Sequence, residues 1–157
     1  MRRAVLSFLF VACAGCEAQL EPPEIGIDIS PVNLGIHSIA ADAGLYHFDL
    51  QLTNNGEETL VLESVSYRGD QNCSFTFEGP DTMELSENES SFVRGWYEPT
   101  ISGEDQIAME VLSNASNFPK LVVPICGKAV PPGTEDAGMP VCQVPPQEQP
   151  DCPAPQP

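Results

Sequence analysis

Apolar and polar residues alternate with a period of two through most of the chain. Tyr46, Phe48, Leu50 and Leu52 interleave with His47, Asp49, Gln51 and Thr53, the spacing that turns one row of a strand to a core and the other to water. Asn54-Asn55-Gly56 follows, residue types that tolerate the positive φ of a tight turn. Similar short runs lie at Ile27–Leu34, Leu60–Tyr67, Cys73–Phe77, Phe92–Tyr97, Gln106–Leu112 and Leu121–Cys126, each bounded by Gly, Pro, Asn or Asp. Seven short strands in about 105 residues, with no convincing amphipathic helix, predict an all-β fold, an antiparallel β-sandwich over 25–130. Cys73, in step with Phe75 and Phe77, is expected to face inward. Cys126 shares a face with Val122 and Pro124, and the pattern does not say which way that face points.

The two ends of the chain break the period. Met1-Arg2-Arg3 precedes an apolar run from Ala4 to Ala12 and then Cys13-Ala14-Gly15-Cys16, after which Glu17, Glu21 and Glu24 follow quickly. A positive start, about 7 to 15 apolar residues and small residues make a secretory signal, too short for the roughly 20 apolar residues of a bilayer-spanning helix. Ala14-Gly15-Cys16 resembles the end of a bacterial lipobox, with Cys13 standing where that motif usually has Leu. The resemblance implies a lipoprotein signal peptide over 1–15, a diacylated Cys16 and a spacer over 16–24. Ordinary cleavage at Ala12-Cys13-Ala14, releasing a soluble chain that starts at Gly15, is the competing reading. Glu17 rather than Asp after the lipid site points to the outer membrane or cell surface rather than the inner membrane. At the other end, 131–157 is rich in Pro and poor in large apolar residues, a composition expected to be disordered or extended.

Charge narrows the classes of partner. The chain has six basic and 23 acidic residues. Arg2 and Arg3 leave with the signal, so Arg68, Arg94, Lys120 and Lys128 remain against the same 23, a net charge of −19. That sign repels phosphate backbones and excludes nucleic acid as a partner. It also disfavours anionic lipid headgroups, so the membrane hold is expected to be the lipid itself, each buried methylene contributing about 0.8 kcal/mol. The acid is dispersed as on a solvated surface, and no loop has the spacing of a dedicated calcium site. No cofactor is expected.

Four cysteines, Cys73, Cys126, Cys142 and Cys152, remain beyond the signal region. An even number in an oxidising compartment predicts disulfides, with three pairings open. Local organisation favours Cys73 with Cys126 and Cys142 with Cys152, contributing about 4 and 3 kcal/mol on the chain-entropy model. Zinc is disfavoured, because no pair has CxxC-like spacing and only His37 and His47 offer imidazole.

Five segments, in order, resemble an immunoglobulin-like domain of the ASH type, also found in bacterial choice-of-anchor D proteins and in large ciliary proteins. They are Pro31-Val32-Asn33-Leu34-Gly35; Leu50-Gln51-Leu52-Thr53-Asn54-Asn55-Gly56; Tyr97-Glu98-Pro99-Thr100 with Gly103; Leu112-Ser113-Asn114-Ala115; and Val123-Pro124-Ile125-Cys126-Gly127. The resemblance spans 25–130 and implies a sandwich of about seven strands that serves as a binding or spacing module. It brings no catalytic residues, and fold alone does not fix function.

Candidate chemistry is sparse. His47 and Asp49 share the outward row of one strand and could orient each other as in a triad, but no Gly-x-Ser-x-Gly elbow accompanies them, so no enzyme is expected. Trp96 is out of phase with Val93 and Tyr97, which leaves it either exposed or tucked under a loop; exposed aromatics are enriched at binding hot spots. Trp96 and His47 are therefore the candidate partner contacts. Glu104, Asp105 and Asp42 are weighed as a cation cluster against simple solvation, and Asn72, Asn88 and Asn114 fit the glycosylation pattern. The expected function is a non-enzymatic cell-envelope lipoprotein that binds or scaffolds another envelope protein. The alternative is a carbohydrate- or cation-binding surface adhesin.

Overall fold

A computed structural model describes residues 19–39, 44–134 and 138–146. The signal segment, Cys16, Asp42 and Cys152 lie outside the described residues. Nine strands follow in chain order: β1 (Ile25–Ile27), β2 (Val32–Ser38), β3 (Tyr46–Asn54), β4 (Leu60–Gly69), β5 (Phe75–Glu78), β6 (Glu84–Leu85), β7 (Ser90–Tyr97), β8 (Gly103–Ser113) and β9 (Lys120–Val130). They form two sheets, β1-β3-β7-β5 and β2-β9-β8-β4-β6. All pairings are antiparallel except β2 with β9, which is parallel.

The facing rows of the two sheets make the core. Leu50 and Leu52 of β3 and Val93 and Tyr97 of β7 are fully buried, as are Leu60 of β4, Ile107, Met109 and Val111 of β8, and Val123 and Ile125 of β9. The predicted alternation therefore holds, with two additions to the strand list. The first predicted run divides into β1 and β2, one in each sheet. Between them lies Pro31, which has no N–H to give to a ladder. β6 is a two-residue addition beside β4.

Asn54 and Gly56 act differently from the turn chemistry expected of them, since neither takes a positive φ. Asn54 is buried; its amide donates to the carbonyls of Glu58 (2.8 Å) and Leu85 (3.0 Å), and its Oδ1 accepts the Gly56 N–H (3.0 Å). At Gly56 a Cβ would overlap the Pro22 carbonyl and Pro23. Glycine is thus required by close approach of the chain preceding β1. That segment is fixed rather than loose: the N–H groups of Glu57 and Glu58 both bond the Glu21 carbonyl, and Asn55 N–H bonds that of Glu24.

The cysteines overturn the favoured pairing. Cys126 is bonded to Cys142 across a Cα–Cα distance of 5.1 Å. Val123 and Ile125 point into the core, so Cys126 lies on the opposite side of β9, away from the second sheet, where a residue of β5 cannot reach it. Cys73 is not part of β5 at all. It sits exposed in the preceding turn with φ 52°, contrary to the inward placement expected of it, and its own disulfide is to neither Cys126 nor Cys142.

The disulfide changes the reading of the Pro-rich tail. Residues 138–146 have no strand or helix, as their composition implies, but they are laid across the outer side of the larger sheet. Asn33 Nδ2 donates to the Pro140 carbonyl (2.8 Å), Gln106 Nε2 to that of Val141 (3.4 Å) and Lys128 Nζ to that of Gly138 (3.3 Å). Asn33, Cys126 and Gln106 are one cross-strand row. The strap thus crosses the strands at right angles, and its Pro145 ends against Gly69 of β4.

Candidate partner-binding surface

The outward face of the smaller sheet carries the candidate contacts. Strand register sets its rows: His47 of β3, Trp96 of β7 and Thr76 of β5 stand side by side, then Asp49, Arg94 and Glu78, then Gln51 and Phe92. These positions face solvent because their strand neighbours Leu50, Val93 and Tyr97 are committed to the core. His47 and Trp96, predicted separately, are brought together with ring centroids 5.5 Å apart. Nε2 of His47 lies 3.1 Å from Asp49 Oδ1, both side chains about half exposed. Trp96 is half-buried and Phe92 exposed.

Arg94 is held in the middle of this face. Its two terminal nitrogens donate to the two carboxylate oxygens of Asp81 at 2.6 and 3.1 Å, a bidentate geometry that orients the guanidinium. The hydrogen bond from Arg94 holds the Asp81 carboxyl below the usual carboxylate range, and Asp81 in turn raises Arg94, with Glu78 and Asp49 adding to the effect. The run Phe92–Tyr97 was visible in the sequence; that Arg94 shares the Trp96 face and is claimed by Asp81 from the β5–β6 connection was not.

A second feature lies at the strap end of the sandwich, a cavity of about 210 Å³ lined by Gly69, Asn72, Asp105, Gln106 and the strap residues Val144 and Pro145. Two buried carboxylates belong to this end, Asp105 in the cavity wall and Asp70 next in sequence to its Gly69. Asp70 accepts the backbone N–H groups of Ser74 (2.7 Å) and Phe75 (3.0 Å), fixing the turn into β5. Asp105 accepts the Tyr97 hydroxyl (2.7 Å) and Asn72 Nδ2 (2.7 Å). Burial pushes the Asp70 carboxyl up, the two amides oppose this, and the nearby Asp105 adds to it. Burial first, and Asp105 next, lift the Tyr97 phenol above its usual range. The acidic cluster considered at 104 and 105 is therefore divided: Asp105 serves Tyr97 and Asn72, and Glu104 lies 3.9 Å from Lys128 Nζ. Among the described residues no group of three or more His, Cys, Asp or Glu is placed to hold a metal. Asn72 and Asn114 are occupied by local bonds, Asn114 bridging the Val61 N–H and the Thr59 carbonyl.

No family model matches the chain, and no curated protein does. Several solved structures do. A protein of unknown function from Porphyromonas gingivalis W83 superposes with a TM-score of 0.57 at 17% identity, over 69% of this chain and 47% of that one. The ASH / PapD-like domain 7 of human CEP192 gives 0.55 at 12% identity, over 83% of this chain and 99% of the domain. The secreted serine protease VesC of Vibrio cholerae gives 0.52 at 16% identity, over 68% of this chain and 23% of the protease. This chain thus matches about half of the Porphyromonas protein and less than a quarter of VesC. At such identities the likeness is one of fold, and that fold is an immunoglobulin-like β-sandwich.

Proposed function

We propose that this chain is an exported, non-enzymatic cell-envelope lipoprotein of the choice-of-anchor D type, held by a lipid on Cys16, whose domain binds or spaces a second envelope protein. The observation that carries the reading is the outward face of the smaller sheet. Trp96, His47, Arg94 and Phe92 project side by side from paired strands, and rigid, adjacent aromatic and arginine side chains are the groups that dominate protein-binding hot spots. The address rests on the signal-like start and the Ala14-Gly15-Cys16 triplet.

His47 and Asp49 are the best-placed pair for chemistry, and their cross-strand neighbours argue for binding. They face Trp96 and Arg94, neither of which is a nucleophile that a histidine could activate. A glycan-binding surface is the second reading, favoured by the half-exposed indole of Trp96.

Photo-crosslinking in intact cells tests the proposal. A benzoylphenylalanine at Thr76, on the outward face, is expected to give a discrete protein adduct, and one at Ser64, on the outer side of the larger sheet, is expected to give none. An adduct only from Ser64 would move the contact to the other sheet; none from either would remove the protein-binding reading. Mass spectrometry of the mature N-terminus tests the anchor, with a diacylated Cys16 expected and an unmodified chain starting at Gly15 contradicting it.

A further inference from the structure

The face around Trp96 holds more negative charge than its own cation uses. Arg94 stands between Asp49 and Glu78 in its cross-strand row, and its guanidinium is already engaged by Asp81. Asp49 is ion-paired with the imidazole of His47, and Glu78 projects, exposed, from β5, the last strand of its sheet. Among the described residues the other Lys and Arg side chains are on the opposite sheet, each beside a carboxylate. Arg68 and Lys120 are both 3.0 Å from Glu110, and Lys128 is 3.9 Å from Glu104. Two carboxylates therefore stand in the cross-strand row next to that of Trp96, one on each side of Arg94.

We propose that this face takes a basic, extended segment of a partner protein, with one arginine or lysine over the Trp96 ring and the next basic residue beside Glu78 or Asp49 in the neighbouring row. The inference rests on the reading of this sheet as a protein-binding surface and adds the partner's chemistry. An indole face attracts cations through its quadrupole, and the carboxylates of the next row supply the opposing charge. Successive rows on the face are two residues apart, about 7 Å, the same repeat as alternate side chains of an extended partner. Basic residues at every second position would then meet Trp96 in one row and Asp49 or Glu78 in the next. A neutral glycan could stack on Trp96 and donate hydroxyls to the carboxylates, but only a cation gains a charge attraction that salt weakens.

The test uses a fluorescein-labelled peptide of alternating Arg and Ser, with affinity read by anisotropy and contact read by emission of Trp96, the single tryptophan of the chain. Saturable binding with a change in Trp96 emission is expected, weakening as salt shortens the range of the attraction. The Glu78→Gln, Asp49→Asn double variant is expected to bind about tenfold more weakly and Trp96→Ala about fivefold. Glu63→Gln with Glu84→Gln removes the same charge from exposed positions on the other sheet and is expected to change affinity less than about twofold. Equal weakening by the two double variants would overturn the proposal in favour of general attraction to an acidic chain. So would binding without a Trp96 response, or a Trp96 response to a neutral maltooligosaccharide and none to the peptide. Failure of the peptide while Thr76 still crosslinks a protein overturns the charge inference alone; failure of the crosslink removes the protein-binding reading and the inference with it.

Discussion

Tyr67 and Asp70 show how one side chain can cost stability and its near neighbour supply it. The Tyr67 hydroxyl is buried with no hydrogen-bond partner among the described residues, and burial pushes the phenol up to about 12. Its ring stacks on Phe77 at 4.0 Å, so the ring rather than the hydroxyl closes the side of the sandwich. Tyr67→Phe keeps the stack and drops the unpaired group, and is expected to change stability by less than about 0.5 kcal/mol or to raise it, measured by urea unfolding. Asp70→Ala instead strands two buried amides and is expected to cost about 2–4 kcal/mol. Asp70 also carries a pH signature. Its folded-state pKa is raised, so the folded state binds the proton more tightly than the unfolded one. That contribution is fully present below the ordinary carboxylate range and lost as pH rises through the folded value. The stability difference between the native protein and Asp70→Asn is therefore expected to shrink from acid toward neutral pH. A difference that grows with pH would contradict the burial of this carboxyl.

Among the elements, β3 and β7 were legible because one face of each is wet, so Leu50, Leu52 and Val93 stand out against polar neighbours. β9 was not. Cys126 and Val130 are buried on its outward side as well, and a strand covered on both faces loses its period. The cover includes the strap, and nothing local in the sequence announces that contact, which joins residues 16 apart through Cys126 and Cys142. Composition pointed to a disordered or extended segment but could not show that a disulfide docks it. The His47 and Trp96 pair was half legible, since His47 was expected outward and Trp96 either outward or under a loop, and only the register β3–β7 makes them neighbours. A loop of this length is worth about 3 kcal/mol on the chain-entropy model. Cys126→Ala with Cys142→Ala is expected to lower stability by up to that amount and to open 138–146 to protease, with β3 and β7 unaffected in hydrogen exchange. Protection of 138–146 without the disulfide would contradict its role as the tether.

At the scale of the molecule, the docked segment before β1 ties the proposed anchor to a definite end of the sandwich. Glu21 is bonded to Glu57 and Glu58, so Cys16 is only five residues from a fixed point, a reach of at most about 18 Å. The β3–β4 turn would then face the bilayer. Trp96 lies six residues along β7 from Ser90 at that same end, roughly 20 Å farther out, so the candidate contact points away from the membrane. A fluorophore at Ser116, bonded through its N–H to the Pro23 carbonyl, is expected to be quenched by lipid-borne quenchers more strongly than one at Ser102 in the β7–β8 connection. The most direct test of the account is hydrogen exchange of the domain with and without the protein captured from Thr76. Protection is predicted at 47–51 of β3, 76–78 of β5 and 92–96 of β7, with none added across the strap and β9; protection centred on the strap and β9 would contradict the assignment of the smaller sheet as the binding face.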